Sequence, residues 1–451
     1  MQITMFDGNK PYKINKPIRL IELFAGYGSQ HFALKYLGKD VESWRICEWA
    51  VKSIQAYKDA HFGDDNTDYS KDLDFETIVE FLSGCGISAD YNQPMTKDQI
   101  RRMGETKCRV VYNNIKATHN LVDISKAQAK DFDIKETDKY EYIMTYSFPC
   151  QDLSKAGKAK GMARDSGTRS GLLWQVERIL EELYSKGKDN LPQILLMENV
   201  PDVIGTQNMP HFAQWLQKLE SLGYHCYFEC LNAKDYGVPQ NRNRCFMVSI
   251  LGDYWYTFPK RKPLQRKLKD LLEEKVDESY YLSPQKIKTI ESWNAQQKPL
   301  KDIDQEKIIS PCLTARGAGE EHSRMILINE EAYSLKQRCD CFGVVIKEKT
   351  YPLTKNTENY IQWKQEGYLD NDCRAWKEER MSDTITTNGK SKVLTELKIR
   401  KLTPKECFRL MGVKDNDFEK IAQNQSNASL YHLAGDSIVV DVLMGILEQL
   451  V

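Results

Sequence analysis

Apolar runs alternate with amphipathic segments between residues 17 and 251. The apolar runs have the length and composition of buried strands and lie at 18–23, 41–47, 142–146, 193–197, 224–231 and 245–251. Two intervening segments repeat apolar residues with helical spacing, namely Leu172, Val176, Ile179, Leu180 and Leu183, and Phe212, Trp215, Leu216 and Leu219. Strands that alternate with helices predict an α/β fold, with a mostly parallel sheet and helices on both faces.

Two long stretches depart from this alternation. Residues of about 62–118 are polar and predict an irregular insertion on the surface of the sheet. Residues 253–395 are rich in Lys, Glu and Gln and predict a smaller, irregular second domain. Residues 437–450 predict an apolar helix that needs a body to pack on. We therefore expect a main domain at 1–252, a second domain at 253–395 and a segment at 396–451 that returns to the main domain.

Composition indicates the compartment and the class of partner to expect. No apolar h-region opens the chain and no run of 18 apolar residues occurs in it, so we expect neither secretion nor a membrane span. The 12 cysteines are scattered and lack zinc-site spacing, which favours a reducing cytoplasm and no metal. The formal net charge of +0 argues against an indiscriminate polyanion binder, although basic patches at 151–170 and 260–269 still allow a local nucleic-acid groove.

The chemistry is predicted at the ends of two strands. Cys150 follows Pro149 where the run at 142–146 ends, and basic residues in the loop that follows would favour its thiolate form. Glu198 follows the run at 193–197, where burial would raise its pKa and let it hold a proton against a ring nitrogen. A thiol and a carboxyl group so placed can attack and protonate an electron-poor ring.

A glycine-containing loop follows the first of these strands. In Phe24-Ala25-Gly26-Tyr27-Gly28-Ser29 the glycines would let the backbone approach a cofactor, and Ser29 would cap a helix that runs to Leu37. His31 stands where a dinucleotide fingerprint has its third glycine, which counts against NAD.

Three further residues suit an adenosine-containing ligand. Glu48 could bind ribose hydroxyls, Trp49 could stack on a purine, and Asp123 could accept a hydrogen bond from an adenine amino group. Together they predict a cofactor without a pyrophosphate, such as S-adenosyl-L-methionine. Arg242 and Arg244 alternate at the start of a strand, so we expect them on one face, where they could bind a phosphate or a base carbonyl.

These motifs occur in an order that resembles the cytosine-C5 DNA methyltransferases of bacterial or phage type. The resemblance covers nearly the whole chain, and residues 146–154 and 166–174 look most like CG-methylating members. It rests on Phe-Ala-Gly-x-Gly, Glu-Trp, Asp-Ile, Pro-Cys-Gln, Glu-Asn-Val and Gln-x-Arg-x-Arg, followed by a variable region and the motifs at 400–406 and 435–439.

The resemblance implies a Rossmann-like S-adenosyl-L-methionine-dependent methyltransferase sheet at 1–252, with target recognition at 253–395. Cys150 would add to C6 of a flipped cytosine, Glu198 would act at N3, and Arg242 and Arg244 would hold the base carbonyl and its phosphate. The implied cofactor contacts are Phe24, Gly26, Gly28, Glu48, Trp49, Asp123, Ile124, Pro149, Leu173 and Ser437. Double-stranded DNA would be the partner of a cytoplasmic monomer, with a separately encoded restriction endonuclease as a second candidate.

One motif departs from the family. Asp436 stands where the family has Asn, so the amide donor is lost while a carboxylate is gained that would favour a positive sulfonium. One alternative is a tRNA cytosine-C5 methyltransferase of the same fold. Alternatives with a different function are a non-catalytic DNA-binding homologue and a hydride-transfer enzyme. The long variable region favours DNA, with candidate base contacts at Thr314, Arg316, Thr384 and Thr386.

Overall fold

The computed structural model describes residues 10–149, 169–281, 310–311, 326–328, 331–333, 344–350 and 395–451. Its strands are β1 (Lys10–Pro11), β2 (Ile18–Leu23), β3 (Val41–Cys47), β4 (Glu141–Tyr146), β5 (Ile194–Asn199), β6 (Tyr224–Asn232), β7 (Gln240–Asn241), β8 (Asn243–Leu251), β9 (Tyr254–Trp255), β10 (Ser310–Pro311), β11 (Ile326–Ile328), β12 (Glu331–Tyr333), β13 (Val344–Thr350) and β14 (Thr395–Arg400).

The described helices pack on the sheet, form the insertion after α2 and make up most of the C-terminal segment. They are α1 (Ser29–Tyr36), α2 (Val51–His61), α3 (Phe75–Cys85), α4 (Lys97–Met103), α5 (Glu105–Ala117), α6 (Ala129–Phe132), α7 (Leu173–Ser185), α8 (Met209–Ser221), α9 (Pro404–Leu410), α10 (Asp415–Ala422), α11 (Asn427–Asp436) and α12 (Val440–Glu448).

The central sheet has six strands in the order β3-β2-β4-β5-β8-β6. The four strands from β3 to β5 are parallel, whereas β8 runs antiparallel to both β5 and β6. The α/β prediction is confirmed, with an antiparallel pair at one edge of the sheet. Pairing with β8 also lengthens β5, because Glu198 lies opposite Phe246 and Asn199 opposite Cys245. Glu198 is therefore inside the strand.

Alternation along the strands separates two apolar cores. Leu20, Ile143 and Leu196 point to one face, where α1 and α12 pack, and Ile21, Met144 and Leu195 point to the other, where α7 and α8 pack. Both faces of the sheet are thus covered by helices. The first core also contains Tyr256, Phe258, Leu268 and Leu271, which follow the predicted domain boundary at residue 252.

The prediction that Ser29 caps α1 is wrong. Gly28 is the capping residue, with φ 81°, and Ser29 is the first residue of the helix, which ends at Tyr36. Gly28 has no side chain to cap the helix, and Glu22 Oε1 accepts from the His31 N–H of the first turn at 3.4 Å.

The prediction of irregular structure at 62–118 is also wrong, because this segment forms α3, α4 and α5. Asp74 caps α3 by accepting a hydrogen bond from the Thr77 N–H, and Thr96 and Gln99 form a capping box at α4. The three helices share an apolar core with Ile54 of α2, formed by Ile78, Val79, Leu82, Ile87, Ile100, Cys108, Val111, Tyr112, Ile115 and Val122. This unit is called the helical insertion below.

The helix predicted at 437–450 begins later than expected, at Val440, and a separate helix, α11, precedes it. α11 ends at Asp436 and α12 begins at Val440, and together they cover the one described segment, Asn427–Glu448, that is apolar and long enough to cross a membrane. This segment is buried like the core helices of a globular domain, since 67% of its apolar window lies inside the protein. The Leu450 carbonyl accepts a hydrogen bond from the Ile14 N–H at 2.7 Å, which joins the two ends of the described chain.

A buried ion pair fixes the point where the chain returns from β14 to α9. Arg400 and Glu406 are each 1% exposed and are joined by two hydrogen bonds of 2.7 and 2.8 Å. Glu406 also accepts hydrogen bonds from the N–H groups of Glu273 and Thr403. Its carboxylate therefore needs its charge partner, because a buried charge left alone is costly.

We expect Arg400→Met to lower the free energy of unfolding by about 3–5 kcal/mol, since it leaves Glu406 buried and unpaired. Urea denaturation monitored by circular dichroism measures the change. The matched control is Lys97→Met, which removes an exposed ion pair with Glu80 and should cost much less. Equal losses in the two variants would contradict the role given to Arg400.

Candidate active site

Four parallel strands end at one edge of the sheet. Leu23 lies opposite both Cys47 and Tyr146, and Tyr146 lies opposite Met197. The residues that follow these positions, at 24–28, 48–49, 147–149 and 198–199, are therefore neighbours in space. Open α/β sheets bind their ligands at this edge, and it holds most of the predicted site residues.

Glu198 is buried at this edge beside an arginine. Its side chain lies next to Arg244, with 3.1 Å between Arg244 Nε and Glu198 Oε1. Burial raises the pKa of Glu198, and the positive charges of Arg244 and Arg242 oppose the rise without cancelling it. The carboxyl group can therefore keep its proton at a higher pH than an exposed glutamate.

The two predicted arginines have different partners. Arg242 lies in the turn between β7 and β8, and its Nη2 donates to the carbonyls of Gly435 at 3.1 Å and Ser437 at 2.6 Å. Arg244 lies on β8 and pairs with Glu198. Both are near enough to act on the charge of Glu198, while Arg242 also holds the loop between α11 and α12.

Cys150, the predicted nucleophile, lies outside the described residues, as do residues 151–168 and the candidate base contacts Thr314, Arg316, Thr384 and Thr386. The chain leading to Cys150 is described up to Pro149. Asn199 Nδ2 donates to the Phe148 carbonyl at 3.0 Å, and Asn199 Oδ1 accepts from the Val200 N–H at 2.8 Å. Asn199 thus ties the end of β5 to the residue before Pro149, a role that sequence reasoning missed.

The loop after β2 has a strained, open backbone. Phe24, Gly26 and Gly28 have φ of 62°, 58° and 81°. A Cβ at Gly26 would meet open space, whereas one at Gly28 would lie 2.3 Å from His61 Nε2. The open space beside Gly26 forms a cradle near the start of α1.

Glu48 holds this loop in place. It is 7% exposed, and it accepts hydrogen bonds from the Gly26 N–H at 2.9 Å and the Ala50 N–H at 2.8 Å. Burial raises its pKa to about 7, and the two backbone donors limit that rise. The carboxyl group predicted to bind a ribose is therefore also a structural part of the loop.

Asn120 joins Glu48 to the loop that carries Asp123. Its side-chain amide exchanges two hydrogen bonds with the backbone of Glu48, at 3.0 and 2.8 Å, and also accepts from the Val122 N–H at 2.8 Å. Asp123 Oδ1 accepts from the N–H and the hydroxyl of Ser125. Asp123 therefore lies near this edge, with Oδ1 bonded to Ser125 and Oδ2 at 3.9 Å from Lys126 Nζ.

The structure places the other predicted cofactor residues in different surroundings. The side chains of Ile124 and Leu173 lie in the apolar core beneath the edge, and Trp49 packs on the helical insertion. Ser437 lies at the surface of the site, where its hydroxyl accepts from the Tyr27 hydroxyl at 2.8 Å and donates to the Ala434 carbonyl at 3.0 Å. Tyr27 is a second residue that sequence reasoning missed.

Asp436 adds a third carboxyl group to the side of the edge that holds Glu48 and Asp123. Asp436 lies beside His432, with 3.2 Å between Asp436 Oδ2 and His432 Nε2. Neighbouring protein atoms raise the pKa of Asp436 although its side chain is 57% exposed, and His432, Arg242 and Arg244 reduce this rise. Glu48, Asp123 and Asp436 together suit a ligand with positive charge, and the described residues contain no cluster of metal-binding side chains.

The sequence model of the C-5 cytosine-specific DNA methylases matches residues 77–451. The chain belongs to this family. It is 30% identical over 436 residues to the type II methyltransferase M2.ScrFI of Lactococcus lactis subsp. cremoris, covering 96% of this chain and 99% of that protein. It is also 30% identical over 446 residues to the orphan methyltransferase M.SssI of Spiroplasma monobiae, covering 96% and 97%.

Solved structures agree on the fold. The Dnmt2 methyltransferase of S. pombe is 18% identical, with a TM-score of 0.52 over 96% of this chain and 99% of that chain. The Entamoeba histolytica methyltransferase EhMeth is 15% identical, with a TM-score of 0.53 over 96% and 98%. The protein is thus a C-5 cytosine-specific DNA methylase with the Rossmann-like methyltransferase fold. This membership excludes the hydride-transfer alternative.

Two glycines of this methylase should respond differently to alanine. We expect Gly28→Ala to lower the free energy of unfolding by about 3 kcal/mol, because its Cβ would meet His61 and Tyr57 in a left-handed backbone. Gly26→Ala places a Cβ on a left-handed backbone but meets no neighbouring atom, so we expect the free energy of unfolding to fall by about 1 kcal/mol. Urea denaturation compares the two variants, and a larger loss for Gly26→Ala would contradict the geometry of the loop.

Proposed function

We propose that this methylase transfers a methyl group from S-adenosyl-L-methionine to C5 of a cytosine flipped out of double-stranded DNA, through a covalent bond between Cys150 and C6. The main support is the buried pair of Glu198 and Arg244, one strand from the chain that leads to Cys150. Asn199 links these two strand ends directly through the Phe148 carbonyl.

Two side chains of the protein, Cys150 and Glu198, would activate the cytosine ring. The Cys150 thiolate adds to C6, and the electron pair of the C5–C6 double bond moves into the ring while Glu198 gives a proton to N3. This makes C5 nucleophilic, so that it can bond to the methyl carbon while the bond from that carbon to the donor's sulfur breaks and its electron pair stays on sulfur. Loss of the C5 proton to a base then expels the thiolate from C6, and return of the N3 proton to Glu198 restores the aromatic ring. The base must leave the stack, because a stacked cytosine hides C6 from attack.

The residues around the edge fit the methyl donor. S-Adenosyl-L-methionine, when bound, supplies an electrophilic methyl group on a positively charged sulfur. The backbone at 24–28 with its open cradle at Gly26, the carboxylates of Glu48 and Asp123, and the loop at Ser437 would hold it. Arg244 would keep Glu198 oriented toward the base, and Arg242 would hold the loop at 435–437 against the site.

Duplex DNA is the proposed substrate, since the family model is one of DNA methylases. We also propose a monomer that acts in the cytoplasm. The relatives are named both as type II and as orphan methyltransferases. A separately encoded restriction endonuclease therefore stays a candidate partner, and genes beside this one would identify it.

We expect Cys150→Ser to abolish methyl transfer to duplex DNA while DNA binding persists, because the hydroxyl is a far weaker nucleophile than a thiolate. Incorporation of tritiated methyl groups into duplex DNA and into tRNA measures transfer and separates the two substrates. Cys85→Ser, in the helical insertion, is the matched control and should keep activity. Wild-type enzyme should form a covalent adduct with DNA that contains 5-fluorocytosine. Full turnover by Cys150→Ser, or methylation of tRNA alone, would refute the proposal.

Glu198→Gln should lower the rate by about 10²–10⁴-fold, the usual contribution of a general acid. Because burial raises the pKa of Glu198, the wild-type enzyme holds the catalytic proton at low pH and loses activity as the pH rises through that pKa. The amide has no such titration, so this alkaline decline should disappear from the pH profile of single-turnover rates. A variant with the same decline would assign it to another group.

A further inference from the structure

The helical insertion reaches the cofactor side of the sheet edge. In the loop between α3 and α4, the Ser88 N–H donates to the Trp49 carbonyl at 2.8 Å and the Ser88 carbonyl accepts from the Val51 N–H at 2.9 Å. These bonds attach the loop to the chain directly after Glu48. The insertion is therefore part of the site's wall.

Tyr91, at the tip of this loop, bridges three elements. Its hydroxyl and that of Ser53 on α2 are 2.9 Å apart, and Ser53 is buried. Its ring packs on the ring of His432 on α11, with 4.3 Å between centroids and 43° between planes. Tyr91 thus joins the insertion to the helix that ends in Asp436.

The surroundings of Tyr91 are those of the candidate cofactor site. Burial raises the pKa of its hydroxyl, and the nearby negative charges of Glu48 and Asp436 raise it further. His432, on which the ring packs, is paired with Asp436, and Ser437 is the next residue. Tyr91 therefore lies between the proposed ribose-binding residue and the proposed sulfonium-side loop.

The backbone at Tyr91 carries the same strain as the site itself. Phe24, Tyr91 and Val122 have φ of 62°, 63° and 62°, in the left-handed region that residues with a Cβ avoid. Phe24 opens the loop after β2, and Val122 precedes Asp123. Strain of this kind persists where the surrounding contacts fix it and often marks functional sites.

We propose that Tyr91 is a binding residue for the S-adenosyl methyl donor, supplied by the helical insertion, and that His432 and Asp436 complete this wall. The inference rests on the proposed function and extends it beyond the motifs found in the sequence. The ring covers the apolar and ribose parts of the ligand, and Asp436 favours its cationic part. His432 is a positioning residue that holds both.

The test uses substitutions that suit a left-handed backbone. Tyr91→Gly and Tyr91→Asn both tolerate a positive φ, so they add no backbone strain. Their loss of stability should come only from the missing contacts with Ser53 and His432, and thermal unfolding of the free protein measures it. Tyr91→Phe keeps the ring and loses the hydroxyl. Tyr69→Ala, at an exposed tyrosine of the same insertion, is the matched control.

Isothermal titration with S-adenosyl-L-homocysteine, the stable product, measures binding without turnover. We expect the Kd to rise about tenfold or more in Tyr91→Gly and Tyr91→Asn, and to change less than about threefold in Tyr91→Phe and Tyr69→Ala. In steady-state assays the KM for the methyl donor should rise in the same order, with kcat and the KM for DNA changing less.

The outcomes separate this inference from the proposed function. A Kd in Tyr91→Gly within about twofold of wild type would overturn the role of Tyr91 while leaving the methyl-transfer proposal standing. Failure of the wild-type protein to bind S-adenosyl-L-homocysteine would overturn both. Equal rises in the KM for the donor and for DNA would indicate a general structural effect and reject the assignment.

Discussion

The site depends on the register of four parallel strands. Leu23, Cys47, Tyr146 and Met197 lie side by side, and each is followed by residues of the proposed site. Side chains alternate along a strand, so a slip of one residue would exchange the two faces of the sheet and turn Glu198 away from Arg244. The two apolar cores oppose such a slip, because it would place the side chains of each core in the other. Packing of the sheet thus fixes the chemistry at its edge.

At the ends of the strands, side chains form the hydrogen bonds with backbone groups that neighbouring strands form inside the sheet. Glu48 accepts from two backbone N–H groups, Asn120 bonds to the backbone of Glu48 and Val122, and Asn199 bonds to Phe148 and Val200. Buried backbone groups need partners, and these three residues supply them where no strand can. Because the same residues orient the loops that would hold the ligands, stability of the edge and ligand binding are coupled.

The sequence predicts most of the sheet and much of the edge, because apolar runs and motif residues are local signals. Alternation identified the six central strands, and the motifs located Glu48, Glu198 and Arg244 at one edge. Asn120, Asn199 and Tyr27 were missed since their contacts join segments far apart in the chain. The helical insertion was missed because its apolar positions, such as Ile78, Val79 and Leu82, are few and lie among many polar residues. The start of α12 was placed at residue 437 instead of Val440 because Ile438 and Val439 are apolar and extend the pattern toward the N-terminus.

The loop at 435–437 explains why the last part of the chain returns to the sheet. The Tyr27 hydroxyl donates to Ser437 Oγ, and Arg242 donates to the carbonyls of Gly435 and Ser437. One short loop therefore bonds both to the loop after β2 and to the turn that precedes Arg244. Hydrogen bonds of this kind transmit displacement only when both partners are held, and the packing of α12 on α1 holds them. The C-terminal segment is therefore the physical connection between the loop after β2 and the turn that carries Arg242.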